Sequence, residues 1–211
     1  TKGLGGSAWE GLPRVLASPY LAGIAGYALC AACLATFVYL QQAGIVKAAL
    51  PDRGARTAFF ANVELITGLA TILLQLVVTS RLLRWLGVGV VLAILPVVQG
   101  VGVLALVLAP SLAMATAVSA SGRAATHALS RPSRELLFTA LPRDDKYRAK
   151  NVIDTLVYRF GDFGSAWLHR GLAALGVVIA AVAVPLAAAW VALAVALGIG
   201  HRRRTRDEPP R

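Results

Sequence analysis

Runs of about 20 consecutive apolar residues recur along this chain, and they constrain its fold more than any other feature. The stretch from Tyr20 to Gln42, YLAGIAGYALCAACLATFVYLQQ, contains no charge at all. Hydrocarbon offers no water to backbone N–H and C=O groups, so a segment crossing it must satisfy them internally, as a helix does. A spanning helix needs about 20 mostly apolar residues. The whole chain agrees in composition, with 57% hydrophobic and 15% charged residues. A soluble domain has about 45–50% and about 25%.

Six spans are expected on this basis, over residues 19–42, 58–80, 87–109, 111–130, 151–168 and 172–200. Ser18 and Pro19 form a helix-start signal for the first, as N-cap and first helical residue. The fourth is the weakest, because Arg123 and His127 interrupt it. After Pro132, an apolar side (Leu136, Leu137, Phe138, Leu141) opposite Arg134 and Glu135 predicts a short interfacial helix over 133–141. A charged loop is expected over 142–150. We read residues 1–18 as a linker and the basic residues 201–211 as a disordered tail. The chain opens on Thr1 and a Gly-rich run, which suggests a piece of a longer protein.

The net charge of +11 raises the question of nucleic acid. The distribution answers it. With the N-terminus in the cytoplasm, 15 of the 21 Lys and Arg residues fall in cytoplasmic segments and 4 outside, Arg123 and Arg159 lying within spans. That asymmetry is the positive-inside pattern of a multi-pass membrane protein with both ends cytoplasmic. It accounts for the charge with the lipid bilayer, and no nucleic-acid partner is expected.

The polar residues inside the spans are not scattered. The second span carries Glu64, Thr67, Thr71 and Gln75 at i, i+3, i+7 and i+11, which is one helix face. The fourth has Ser119, Arg123, Thr126, His127 and Ser130. The fifth has Asp154, Tyr158 and Asp162 at i, i+4 and i+8, with Arg159 three residues before Asp162. The first has the milder set Tyr27, Thr36, Tyr39 and Gln41. By contrast the third holds only Gln99, and the sixth has no ionisable group between Leu172 and Gly200. Spans three and six therefore read as lipid-facing all round, a pattern of three seen twice. It predicts two inverted three-helix repeats.

Intramembrane charges are costly and mark functional interiors or internal pairs. Arg159 and Asp162, about 60° apart on a helix surface, fit either a local ion pair or a transport path. Glu64 has no cation in its own span, so its partner comes from another, Arg123 or Arg159. Chemistry-bearing motifs are missing: there is no H-E-x-x-H, G-x-S-x-G, P-loop or grouped metal ligands. Cys30 and Cys33 read as small packing residues of an apolar helix. No catalytic residue, metal or cofactor is expected, and the chain does not read as an enzyme.

The run SRPSRELLFTALPRDDKYRAKNVIDTLVYRFGDFGSAW, residues 130–167, resembles a segment of the ATP/ADP antiporter (NTP/NDP exchange transporter) family and its bacterial relatives in the major facilitator superfamily. Arg134-Glu135 with Leu137-Phe138-Thr139, Asp145-Lys146-Tyr147 with Lys150-Asn151, and Ile153-Asp154-Thr155 with Tyr158-Arg159 and Gly161-Asp162 carry the resemblance. LLQLVVTSRLLRWLG at 73–87 is similar to the cytoplasmic end of that family's eighth helix. The resemblance implies the C-terminal half of a twelve-helix transporter in a bacterial cytoplasmic membrane, working by alternating access with a six-helix N-terminal half. It implies a small anionic solute such as a nucleotide. Glu64, Arg123, His127, Asp154, Tyr158, Arg159 and Asp162 are then candidates for the transport cavity or gate. Arg134, Glu135, Asp145, Lys146 and Lys150 are candidates for a cytoplasmic gate loop. A non-transporting membrane scaffold or regulatory protein that keeps the fold is the alternative.

Overall fold

The computed structural model describes residues 8–207, and every regular element among them is helical. The helices are α1 (Ala8–Ala17), α2 (Pro19–Ala49), α3 (Arg53–Leu74), α4 (Ser80–Leu108), α5 (Leu112–Ala125), α6 (Arg131–Leu137), α7 (Arg143–Val152), α8 (Tyr158–Ala174) and α9 (Ala180–Asp207). Short π-helical turns join α3 to α4 (Gln75–Thr79), α5 to α6 (Thr126–Ser130) and α7 to α8 (Ile153–Val157). Three helix starts are capped by side chains. Ser18 Oγ accepts from Leu21 N at 3.5 Å, Asp52 Oδ2 from Ala55 N at 2.7 Å, and Ser111 Oγ from Met114 N at 3.2 Å.

Four helices are long and apolar enough to cross a membrane: Pro19–Ala49, Arg53–Leu74, Ser80–Leu108 and Ala180–Arg206. The chain is thus an all-α membrane protein by length and composition. The expected fourth and fifth spans are helical but are not among these four. Their columns, α5–α6 and α7–α8, are interrupted by π turns and carry the charged residues.

Several boundaries differ from expectation. Residues 8–17 of the expected linker form α1, which puts Val15 in the core at 2% exposure and Arg14 against Asp145 at 2.9 Å. Residues 1–7 lie outside the described part. The expected loop 142–150 is α7, continuous through a π turn with α8. The interfacial helix is not separate: α6 follows directly on the π turn after α5, and a 3-10 turn at Phe138–Ala140 ends it. The sixth helix begins at Ala180, not at residue 172. Gly176, at φ 67°, stops α8 with Val177 N bonded to Leu172 O at 2.9 Å and Gly176 N to Ala173 O at 3.1 Å. Those two bonds make a Schellman stop. The tail does not dissolve after residue 200, because α9 runs on to Asp207. Its arginines suit the negative end of the helix dipole, and Arg204 stacks 4.6 Å from the Tyr20 ring centre. Residues 208–211 lie outside the described part.

Gly87 is the pivot between the second and third columns. Its φ of 76° and ψ of 166° break the helix that holds it. As one straight helix, Leu74 and Val91 would stand about 25 Å apart, yet they belong to one apolar cluster with Leu82, Leu83 and Leu129. The chain therefore reverses there. A Cβ at Gly87 would also lie 2.7 Å from Arg202 Nη2, whose guanidinium donates to Leu86 O at 3.5 Å.

The third and sixth columns are not exposed all round. α4 and α9 pack along each other, and the contact is closest where Gly89 meets Gly198. A Cβ on Gly198 would sit 2.3 Å from Gly89 Cα. Small residues let helix backbones approach when lipid supplies no hydrophobic drive between them. Ala183, Ala187 and Ala194 continue the buried face of α9. The least buried candidate span is α3, with 11% of its apolar window buried against 44% for α2 and α4 and 33% for α9.

Prolines inside the bundle free carbonyls that other helices then serve. Pro96 has no N–H, so Leu92 O loses its usual partner. Tyr27 Oη donates to it at 3.0 Å and lies 3.0 Å from Ser130 Oγ. Pro132 likewise frees Ala128 O, which accepts from Thr79 Oγ1 at 2.8 Å. Tyr27 also meets Trp190 edge-on, with ring centres 5.2 Å apart, so one side chain joins α2, α4, the π turn after α5, and α9.

Tyr27→Phe should lower stability by about 1–3 kcal/mol, because it orphans a buried carbonyl. In a Pro96→Ala background, residue 96 regains an amide for Leu92 O and the loss should shrink by at least half. Thermal unfolding of the four variants of the full-length protein in detergent measures this. An unchanged penalty would show that Tyr27 does not serve that carbonyl.

Candidate functional site

The polar stripe of α3 faces α5, and the two columns are joined by side chains along their length. Glu64 pairs with Arg123 across the interface. Gln75 Nε2 donates to His127 O at 3.3 Å, and Thr79 Oγ1 to Ala128 O. These acceptors lie in the π turn, where Arg131 N bonds to Thr126 O and leaves the His127 carbonyl unclaimed. Thr67 and Thr71 bond back to the carbonyls of Val63 and Thr67, each at 2.7 Å, and need no outside partner. Of the two candidates for Glu64, the structure selects Arg123.

Beside this pair is a cleft of about 150 Å³ between α2, α4 and α5. Tyr39, Gln42, Gln99, Ser119, Arg123, His127 and Arg131 supply its polar lining. Arg131 also lines a second, larger cleft of about 370 Å³, together with Arg134, Glu135, Lys150, Asp154 and Tyr158.

The second cleft merges the two expected groups. Arg134, only 7% exposed, donates from Nη1 to Tyr158 Oη at 2.6 Å and from Nη2 to Asp154 Oδ1 at 3.1 Å. Asp154 in the π turn and Tyr158 at the start of α8 are four residues apart, so both face one guanidinium. Lys150 Nζ donates to Glu135 Oε2 at 2.8 Å alongside. Asp145 instead holds Arg14 of α1. Lys146 has no ion-pair partner among the described residues.

Arg159 and Asp162 stand apart. Both are exposed, and they do not pair with each other. Asp162 accepts from Thr36 Oγ1 at 3.4 Å, while Arg159 has no ion pair or hydrogen bond among the described residues. Gly161 between them packs against α2, where a Cβ would meet Ala32 Cβ at 2.7 Å. Two positions away around a helix points Arg159 to the opposite side. The expected local ion pair is therefore replaced by one contact across to α2 and one free guanidinium.

Sequence reasoning passed over Gln42, Gln99 and Arg131 as site residues. Gln99 did carry a signal, as the lone amide in an otherwise apolar helix. Among the described residues no group of three or more His, Cys, Asp or Glu side chains is placed to hold a metal.

Asp154→Ala should destabilise the protein by about 2–3 kcal/mol in detergent unfolding. That is below the about 3–5 kcal/mol for a fully buried pair, since the Asp154 side chain is 36% exposed. Adding Arg134→Met should recover part of the loss, because the remaining buried charge goes with it. A double variant worse than Asp154→Ala alone would contradict the pairing.

No protein-family profile matches the chain, and no solved structure matches it. Among curated proteins it is 25% identical over 183 residues to ADP,ATP carrier protein 1 of Chlamydia trachomatis, an alignment covering 77% of this chain and 35% of that protein. It is 24% identical over 204 residues to ADP,ATP carrier protein 1 of Chlamydia muridarum, covering 87% of this chain and 39% of that one. The chain thus spans between a third and two fifths of the length of these relatives, which are named as carriers and to which it is distantly similar.

Proposed function

We propose that this chain is the C-terminal half of a secondary transporter of the major-facilitator type that exchanges a nucleotide or another anionic solute by alternating access. The observation that carries the reading is the similarity to two ADP,ATP carrier proteins over 77% and 87% of the chain. The disposition of charge supports it. Arg123 and Arg134 are matched by Glu64 and Asp154, but Arg131 lines both clefts with no ion-pair partner among the described residues, which would favour an anion.

On this reading the six columns are two inverted repeats of three. The first comprises α2, then α3 up to Gly87, then the rest of α4. The second comprises α5–α6, α7–α8 and α9. The packing of α4 on α9 supports the correspondence, since each is third in its repeat. A six-helix N-terminal half of the same protein would cover the open faces of α3 and α8. On α8 those faces present Arg159, Asp162, Phe160, Phe163 and Trp167, all exposed in this half.

Contacts among Tyr20, Leu137, His201 and Arg204, between Arg202 and Leu86, and between Arg14 and Asp145 gather both chain ends at one end of the bundle. We assign that end to the cytoplasm of a bacterial inner membrane, since it collects the basic segments. Arg134, Glu135, Lys150 and Asp154 would then lie at the cytoplasmic gate, with Asp145 and Lys146 on its outer side.

Counterflow of labelled ATP and ADP in liposomes holding the full-length protein tests the reading. Saturable exchange is expected. Its absence for every nucleotide tried would leave another solute, or a scaffold that only keeps the fold. Arg159→Ala should reduce exchange at least about tenfold, equal to about 1.4 kcal/mol, with membrane insertion unchanged. Normal exchange in that variant would remove Arg159 from the mechanism.

A further inference from the structure

Six buried side-chain polar atoms among the described residues have no hydrogen-bond partner, and three of them, from Gln42, Gln99 and Ser119, end in the same cleft, apart from those of Arg134, His169 and Trp190. Gln42 is 1% exposed, Gln99 5% and Ser119 4%. Gln42 Nε2, Gln99 Oε1 and Ser119 Oγ have no hydrogen-bond partner among the described residues. They come from three different helices, α2, α4 and α5, and line the cleft beside the Glu64–Arg123 pair. Buried polar groups are nearly always bonded, so an isolated exception calls for an explanation. Three converging on one space call for a shared one. Gly122 belongs to the same design: a Cβ there would lie 3.1–3.2 Å from the Gln99 amide, so the bare backbone of α5 gives that amide its place.

The cleft is graded along α5. Ser119 and the two glutamines occupy one end, while Arg123, His127 and Arg131 lie progressively toward the other. From residue 119 to residue 131 is about 18 Å along a helix axis. The arginines oppose a metal cation, and the Gln99 Oε1 acceptor, unlike an N–H, has nothing to offer a phosphate. The arrangement fits a solute with an uncharged, hydrogen-bonding end and an anionic end.

We propose that Gln42, Gln99 and Ser119 form a subsite for the nucleoside part of a nucleotide, with Arg123 and Arg131 on its phosphate side. This rests on the nucleotide-exchange reading above. The two amides and the hydroxyl supply donors and acceptors that a base or ribose edge can satisfy. Satisfying them is a gain made only with the correct solute, which is how buried polar groups generate selectivity.

The test uses the full-length protein in detergent, with thermal stability measured in the presence of ATP, GTP, CTP and inorganic tripolyphosphate. A ligand that binds only the folded protein raises the unfolding temperature, by an amount that grows with the logarithm of its concentration over Kd. Wild type should be stabilised more by at least one nucleotide than by tripolyphosphate. Gln42→Leu/Gln99→Leu should keep the tripolyphosphate shift and lose the extra nucleotide shift. In liposomes its half-inhibitory concentration for that nucleotide should rise at least about tenfold while that for tripolyphosphate stays level. Because the amides have no protein partner, the ligand-free double variant should unfold no earlier than wild type.

Should that variant fold poorly, Ser119→Ala carries the same comparison with a smaller rise, about threefold. Retention of the full nucleotide shift, or parallel loss for nucleotide and tripolyphosphate, would overturn the subsite. A wild-type protein that responds to tripolyphosphate but gains nothing from any nucleoside would overturn it too. No response of wild type to any of the four probes would overturn the exchange reading itself.

Discussion

A carbonyl that loses its amide inside a membrane bundle has to find another donor, and much of this structure is organised around that need. Pro96 and Pro132 each remove one helical hydrogen bond, and the π turn at Thr126–Ser130 loosens another. The replacement donors are Tyr27, Thr79 and Gln75, each from a neighbouring column. A defect in one helix thereby becomes a directional bond to the next. Apolar packing alone holds helices in lipid without fixing their register, because tails and side chains are equally apolar. Hydroxyls and amides aimed at freed carbonyls supply that register. Tyr27 does most, since it also touches Ser130 and Trp190.

The π turns have a second effect. All three fall in the columns that carry the polar stripes, α3, α5–α6 and α7–α8, and none in α2 or α9. A π turn widens the helix by one residue and re-aims the side chains beyond it. In α7–α8, Asp154 of the π turn and Tyr158, four residues on, both reach Arg134, while Asp162, a further turn along regular α8, meets Thr36 of α2. The spacing along the helix is regular, but the partners come from two different columns.

That difference explains what could be read from the residues and what could not. Hydropathy located four long apolar helices, and Ser18-Pro19 marked the start of the first, because hydrophobicity and capping are local properties. The stripe on α3 also read correctly, since that helix keeps its regular period through Leu74. Arg159–Asp162 did not form, because the pairing was judged within one helix while α2 offered Thr36 across the interface. α4 and α9 read as lipid-facing because they lack polar groups. Absence of polarity fits a lipid face and a small-residue helix contact equally, and the Gly89–Gly198 approach resolves it. The basic tail read as disordered from composition, which omits the Tyr20 ring and the Leu86 carbonyl that receive its arginines. Gly176 was a visible stop signal inside the expected sixth span, and an apolar run on both sides concealed it.

The pairing pattern bears on how two halves would work together. An ion pair contained within one half moves with it as that half rocks, so it cannot report the change. Glu64–Arg123 and Arg134–Asp154 are such pairs, and their first task is to hold α3 on α5 and α6 on the α7–α8 column. If the chain works as proposed, switching would fall instead on charges with no partner inside the half. Arg159 is exposed on α8 and Arg131 stands between the two clefts, and neither guanidinium has an ion-pair partner among the described residues. An exposed guanidinium stays hydrated and can exchange partners at little cost, whereas a buried pair resists separation by several kcal/mol. On the transporter reading proposed above, Arg159 would be the one of the seven candidate cavity residues best suited to alternate between solute and an opposite half. Arg131, passed over in the sequence, would be suited to hand an anion from one cleft to the other.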